Sequence, residues 1–246
     1  MMLDEPAREL AARLGEISSR GPIPSEGHGD TAVGMTLLRL LDIPYSSASK
    51  PTFRGIVITA RRGTKVRDSN RVNLFAKVPD WEISACKSSR EILDRYGYDR
   101  AGGRKLNCTV AARQPNSQGL RLLVDREAGT LCELHDDGAK SSLVAAWWIS
   151  GLEAKLETAH RASVWVVAVP SWREGVEHFH FRYATFTSQP RTKEFVPLIE
   201  QRTITVDHLI SESAGAVVEK GPLFKILPDN AGALFPGQMR VDLLDL

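Results

Sequence analysis

The sequence predicts an α/β or α+β fold: a mixed β-sheet flanked by helices. Two observations lead there. Short apolar, β-branched runs, at 55–60 and 164–169, are interleaved along the chain with stretches of helical spacing. Hydrophobic residues make up 42% and charged residues 25% of 246 positions, ordinary proportions for a chain with a sizeable core, and the apolar share exceeds that of a disordered one.

The elements follow in order. Residues 4–20 read as a helix: Asp4 caps it, Pro6 suits its first turn, and Leu10, Leu14 and Ile17 recur on one face. Gly21-Pro22 stops it, and the chain to Gly29 is loop. Residues 36–41, preceded by Met35, are helical and have almost no polar face, so they are expected to be buried. Residues 46–51 are loop, 55–60 a buried strand, and 72–75 a second strand ended by Pro79. Residues 88–96 form a short helix with Gly97 as its C-cap. Residues 107–112 and 119–125 are expected to be strands of a hairpin or meander, turned by Gln114-Pro-Asn-Ser117. Residues 142–159 read as one helix, with Trp147 and Trp148 packed into the core. Strands follow at 164–169 and at 177–186, where His178 and His180 alternate with Phe179 and Phe181. Residues 193–200 are helical, 203–207 a strand leading into a Ser/Gly-rich segment, and 223–227 the last strand.

Composition excludes several classes. Lys plus Arg is 32 and Asp plus Glu 30, a net charge of +2, which rules out a histone-like polycation but not nucleic-acid binding. No apolar run approaches the ~20 residues of a membrane helix, and the acidic N-terminal stretch lacks the apolar core of a secretory signal. Cys86, Cys108 and Cys132 have no metal-ligand spacing and are expected to be reduced thiols in a cytoplasmic protein. Gly27, Gly29 and Gly34 do not make a phosphate loop, because Met35 stands where that loop needs Lys.

Charge is unevenly spread. Residues 54–77 hold seven bases and one acid, and residues 87–113 seven bases and three acids, whereas residues 121–160 hold four bases and seven acids. A basic run of this kind is either a solvated face or a set of phosphate contacts gathered on one surface. The histidines of 177–186 read as a polar strand face, since no third metal ligand accompanies them.

A family likeness now appears. Gly29-Asp-Thr-Ala-Val-Gly-Met-Thr-Leu-Leu38 resembles the opening motif of the MvaI/BcnI restriction endonucleases, roughly G-D-T-G-I-G-K-T-L-E. Pro51-Thr-Phe-Arg-Gly-Ile-Val-Ile-Thr-Ala-Arg-Arg62 resembles their catalytic strand, roughly P-D-x-x-G-I-E-[IL]-K-x-x-R. Asn73-Leu-Phe-Ala-Lys-Val-Pro79 resembles a third block. Tyr96-Gly-Tyr98 with Thr109 and 116–122 resembles a fourth. Val206-Asp207 with Gly221-Pro-Leu-Phe-Lys225 resembles a fifth, where the family tends toward D-H-G-T-x-F-R. The likeness runs over about 25–235. It implies the PD-(D/E)XK, MutH-like nuclease core: one domain over 1–246 with a catalytic lobe and a recognition lobe clamping double-stranded DNA, its first part, 1–24, an N-terminal helix and linker.

The resemblance also implies a site that this chain does not spell. Nucleases of this kind hold Mg²⁺ on carboxylates and keep a lysine near the attacking water. Carried over position by position, the Asp falls on Thr52, the strand Glu on Val57, the Lys on Thr59 and the Glu of the opening motif on Leu38. All four have lost their charge. Asp30 is the candidate substitute acid; Asp42, Glu82, Glu153 and Glu219 offer no better spacing. Lys220 and Lys225 stand where the family tends to have His and Arg, which weakens base reading and keeps phosphate binding. The expectation is therefore a DNA-binding pseudo-nuclease of a restriction or defence context, with no cofactor. Its DNA contacts would be Arg61, Arg62, Lys65, Arg67, Lys87, Arg113, Asn116, Lys220 and Lys225. Possible partners are double-stranded DNA and a defence-system protein, with no membrane. The alternatives are an active Mg²⁺-dependent endonuclease with relocated acids, and an interaction module without DNA.

Overall fold

The computed structural model describes residues 2–29, 31–45, 52–63, 71–213, 215–219 and 221–246. Along the chain run α1 (Glu5–Ser19), β1 (Ile23–Pro24), α2 (Ala32–Leu40), β2 (Thr52–Phe53), β3 (Ile56–Arg62), β4 (Val72–Ala76), α3 (Ser89–Tyr96) and β5 (Tyr98–Arg100). Then come β6 (Gly103–Val110), β7 (Leu120–Asp125), β8 (Thr130–Asp136), β9 (Ser141–Trp148), α4 (Ile149–Ala159), β10 (Ser163–Arg173) and β11 (Val176–Thr187). The chain ends with α5 (Phe195–Glu200), β12 (Ile204–Ser213), β13 (Ala216–Glu219), β14 (Leu223–Ile226), α6 (Ala231–Leu234) and β15 (Gln238–Asp242). No described helix is long and apolar enough to cross a membrane.

The chain divides into two compact units. The first comprises Met1–Arg67, Ala159–Pro190 and Phe235–Leu246, and the second Asp68–Thr158 and Arg191–Leu234. In the first, the sheet order is β1-β11-β10-β3-β2, with β15 also on β11. Strands β3 and β10 run parallel and the other pairs antiparallel, so the sheet is mixed as the sequence predicts. Helices α1 and α2 are buried in one apolar cluster with Ile56, Ile58, Val164, Val166, Phe179 and Phe181. Asp4 caps α1 by accepting the Ala7 N–H at 3.0 Å, with Pro in the first turn. Asp4→Ala should therefore lower stability by about 1 kcal/mol, read as a shift of the urea midpoint at unchanged slope.

The second unit holds an antiparallel sheet in the order β4-β14-β12-β6-β5, with β13 on β12, and a three-stranded antiparallel sheet β7-β8-β9. Ser88 caps α3 through the Glu91 N–H. Gly97 closes α3 for a different reason than the usual left-handed turn. Its φ is −73°, and a Cβ there would lie 2.4 Å from the Leu93 carbonyl oxygen.

Three expectations are corrected. Residues 142–159 are a strand and then a helix, β9 and α4, not one helix. The run from Leu143 to Trp148 is apolar throughout and suits either element. What decides is β8, which pairs with β9 from Thr130↔Trp148 to Asp136↔Ser141. Trp147 is buried there, donating its indole N–H to the Lys77 carbonyl at 2.9 Å, while Trp148 is exposed. Residues 107–112 and 119–125 do not form a hairpin: β6 and β7 belong to different sheets, joined by the single bridge Ala112↔Leu122. The turn between them is real, since Asn116 Oδ1 accepts the N–H groups of Gln118 and Leu120. The strand at 223–227 is not the last, because β15 follows and pairs with β11.

Candidate nucleic-acid interface

In the first unit Thr52, Val57 and Thr59, singled out from the sequence, fall on a described sheet. Thr52 of β2 pairs with Val57 of β3, and Val57 and Thr59 point to one face by the period of two. Across the parallel pairing, Val57 meets Ser163 and Thr59 meets Trp165. Val57 is buried, Thr59 half-buried and Thr52 exposed. Leu38 does not join them: it packs in the apolar cluster that contains Ile56 and Ile58, the opposite side of β3. The donor set offered by Thr52, Val57 and Thr59 is two hydroxyls and an alkyl group, which does not fit Mg²⁺. Among the described residues no group of three or more His, Cys, Asp or Glu side chains is placed to hold a metal. Asp30, the candidate substitute acid, lies outside the described residues.

Arg61 shares the face of Val57 and Thr59. Burial, and after it the charge of Arg240, lower its pKa from the ordinary value. On the same face the β11 and β15 pairing sets Arg240 opposite Thr185, and Thr185 lies opposite Trp165. Trp165 packs edge-on against His160 and Phe235, and its buried indole N–H has no acceptor among the described residues.

The other bases named from the sequence sort by what already engages them. Arg62 forms a fork with Glu177 at 2.7 and 2.8 Å, donates to the Gly29 carbonyl and lies over the Phe179 ring. Lys87 Nζ donates to the carbonyls of Trp81, Glu82 and Ser84. Lys225 bonds Asp207 at 2.9 Å. Asn116 holds its own turn and donates to the Thr109 carbonyl. Arg113 is exposed, with a left-handed φ of 75°, and no ion pair to it is found among the described residues. Lys65, Arg67 and Lys220 lie outside the described residues.

The second unit carries a polar hub that the sequence reading missed. Asp207 of β12 accepts from Thr109 of β6 at 2.8 Å, from Arg71 at 2.9 Å and from Lys225 of β14 at 2.9 Å. Two guanidinium or ammonium groups on one carboxylate leave the hub cationic. Beside it an open cavity of about 400 Å³ is lined by Tyr98, Arg100, Asn107, Thr109, Asn116 and Gln118. Amides and hydroxyls of this kind match the donors and acceptors of base edges. The only sequence signal for this grouping is the resemblance of the blocks that contain Tyr98, Thr109, Asn116 and Asp207.

Within the same unit, alternation along β12 turns His208 away from Asp207. His208 and Glu133 of β8 are fully buried, with Nε2 at 2.8 and 3.1 Å from the two Glu133 oxygens. Burial alone would lower the His208 pKa, but Glu133 outweighs it and the net direction is up. Cys108, the register partner of His208, is pushed up to about 12, chiefly by burial. His178 and His180 are occupied locally, at the Val176 and Ser18 carbonyls.

Against known proteins the chain matches the MvaI/BcnI restriction endonuclease family over residues 11–235. Compared by sequence with curated proteins, it matches none. Its structure is similar to restriction endonuclease MvaI in complex with its cognate DNA substrate, at a TM-score of 0.79 and 18% identity, covering 98% of this chain and 100% of that one. It is also similar to MvaI in the absence of DNA, at a TM-score of 0.53 and 17% identity, covering 98% of this chain and 99% of that one. The structural likeness shows the fold, a mixed α+β restriction-endonuclease architecture. The family match spans most of the chain, which therefore belongs to the MvaI/BcnI restriction endonuclease family.

Proposed function

We propose that this family member binds double-stranded DNA without hydrolysing it, as a cytoplasmic pseudo-nuclease of a restriction or defence system. The observation that carries the reading is the composition of one sheet face. Thr52, Val57 and Thr59 stand where the resemblance puts the family's metal-binding acids and lysine, and Arg61 adds a cation to the same face. Binding to the sugar–phosphate backbone needs only bases whose charge is not already neutralised. Arg61 and Arg113 meet that condition, and Lys65, Arg67 and Lys220 join them in this reading. Arg62, Lys87, Asn116 and Lys225 act by holding the local structure in place. The protein would then serve as a sensor or as the recognition subunit for a partner that cuts.

Mobility shift of a duplex across a salt series, in chelator, tests it. With about four phosphates neutralised, log K should fall against log salt with a slope of about −3 to −4. No binding at low salt, or a flat slope, would overturn the reading in favour of an interaction module. Plasmid incubated with Mg²⁺ or Mn²⁺ should stay intact. Cleavage abolished by chelation and by Asp30→Ala would instead establish an active nuclease with relocated acids.

A further inference from the structure

Two arginines from distant parts of the chain converge on the face that carries Val57 and Thr59. Arg61 follows Thr59 by two residues on β3, and its register partner on β10 is Val167. Val167 in turn pairs with Tyr183 of β11. Neighbouring strands lie about 4.8 Å apart, so the backbones of Arg61 and Tyr183 are separated by about 10 Å. Arg240 of β15 lays its guanidinium over the Tyr183 ring, 4.7 Å from the centroid. Val167 lies on the strand between them, and Arg240 is near enough for its charge to act on Arg61.

No ion pair to either cation is found among the described residues, although the Asp242 carboxylate feels the charge of Arg240. Among the described residues no side-chain hydrogen bond or ion pair is found to Arg61, whose backbone is held in the β3–β10 pairing. The carboxylate nearest Arg240 in sequence, Asp242, is engaged by Arg182 at 2.8 Å. Two like charges held together, one of them half-buried, repel each other unless an anion lies between them. Their charge of about +2 equals that of the divalent cation the family fold would hold on this face, and the guanidinium fork matches phosphate oxygens.

We propose that Arg61 and Arg240 together clamp one phosphate group on this face, in place of a metal ion. This rests on the DNA-binding reading above and adds Arg240, which no sequence block contains. The clamp binds a phosphodiester of duplex DNA; free inorganic phosphate has the same recognition chemistry and is separated from it by experiment.

Fluorescence anisotropy of a labelled duplex in chelator compares the wild-type chain with Arg61→Ala, Arg240→Ala, Arg240→Gln and the double Arg61→Ala/Arg240→Ala variant. Thermal melting of each checks that it is folded. Each single change should weaken binding by about tenfold and reduce the salt slope by about one. The double variant should lose less than the product of the single losses, because both side chains serve one phosphate. Arg240 variants that bind as the wild type does would overturn the clamp while leaving DNA binding intact. If the wild type binds no duplex, the DNA reading fails, and melting in inorganic phosphate decides the clamp. A stabilisation that the double variant lacks supports it with free phosphate as ligand, and no stabilisation overturns it.

Discussion

Replacing Glu133 with alanine should destabilise the second unit by about 3–5 kcal/mol, the usual consequence of removing one member of a buried charged pair. Glu133 and His208 are both fully buried, and both oxygens of Glu133 lie within hydrogen-bond distance of the same ring nitrogen. His208 Nδ1 already has no partner among the described residues, so loss of Glu133 leaves both buried ring nitrogens without a hydrogen-bond partner. The pair also ties stability to pH. The His208 pKa is raised in the folded state, so the folded protein holds this proton where the unfolded chain has released it. The resulting stability is fully present below the unfolded value of about 6.5 and is lost as pH rises through the folded pKa. Melting of the wild type should therefore fall as pH is raised above neutrality, if other titrations are matched by a control. The control is the double variant Glu133→Leu/His208→Leu, which should fold with nearly wild-type stability and lack that part of the pH dependence. A loss below about 1 kcal/mol in Glu133→Ala would show that the pair contributes no more than a surface contact.

The same pair marks the limit of what the sequence discloses. Strands announced by a continuous apolar run, β3 and β10, are legible because their opening residues are buried on both faces, and α1 is legible because its cap and its stripe agree. β8 is not, because Glu133 occupies an inward position that alternation would give to an apolar residue, and its partner lies 75 residues away. The stretch 142–159 fails for the same reason: only β8 distinguishes a buried strand from a buried helix there. Of the candidate interface, the uncharged residues at 52, 57 and 59 are readable from the motif resemblance, since their meaning is local to one strand and its neighbour. Which bases remain free for DNA is not readable. Arg62, Lys87 and Lys225 look like Arg61 in a string of letters, yet Glu177, three backbone carbonyls and Asp207 engage them. Arg240 comes to the site only through the β11–β15 pairing.

Rebuilding the family's donor set should create a metal site on a face where the described residues offer none. Val57→Glu alone places a carboxylate at a buried position opposite Thr52, with no ion-pairing partner on its register neighbours Thr52 and Ser163, and should cost about 2–4 kcal/mol. In Thr52→Asp/Val57→Glu/Thr59→Lys the pairing Thr52↔Val57 brings two carboxylates directly across from each other, and the lysine follows on the same face. Two carboxylates so placed repel without a cation and hold one when it is supplied. The triple variant should therefore melt lower than the wild type in chelator and recover with Mg²⁺, by about 2.7 kcal/mol at a concentration a hundredfold above its Kd. Wild-type melting should not respond to Mg²⁺. If the wild type rose with Mg²⁺ as the triple variant does, the carboxylates would have moved rather than vanished, and the pseudo-nuclease reading would give way to the relocated site. If the triple variant folded and still ignored Mg²⁺, the correspondence of Thr52, Val57 and Thr59 to the family's catalytic positions would be wrong. Mg²⁺-dependent melting thus tests that correspondence without requiring the rebuilt protein to cut DNA.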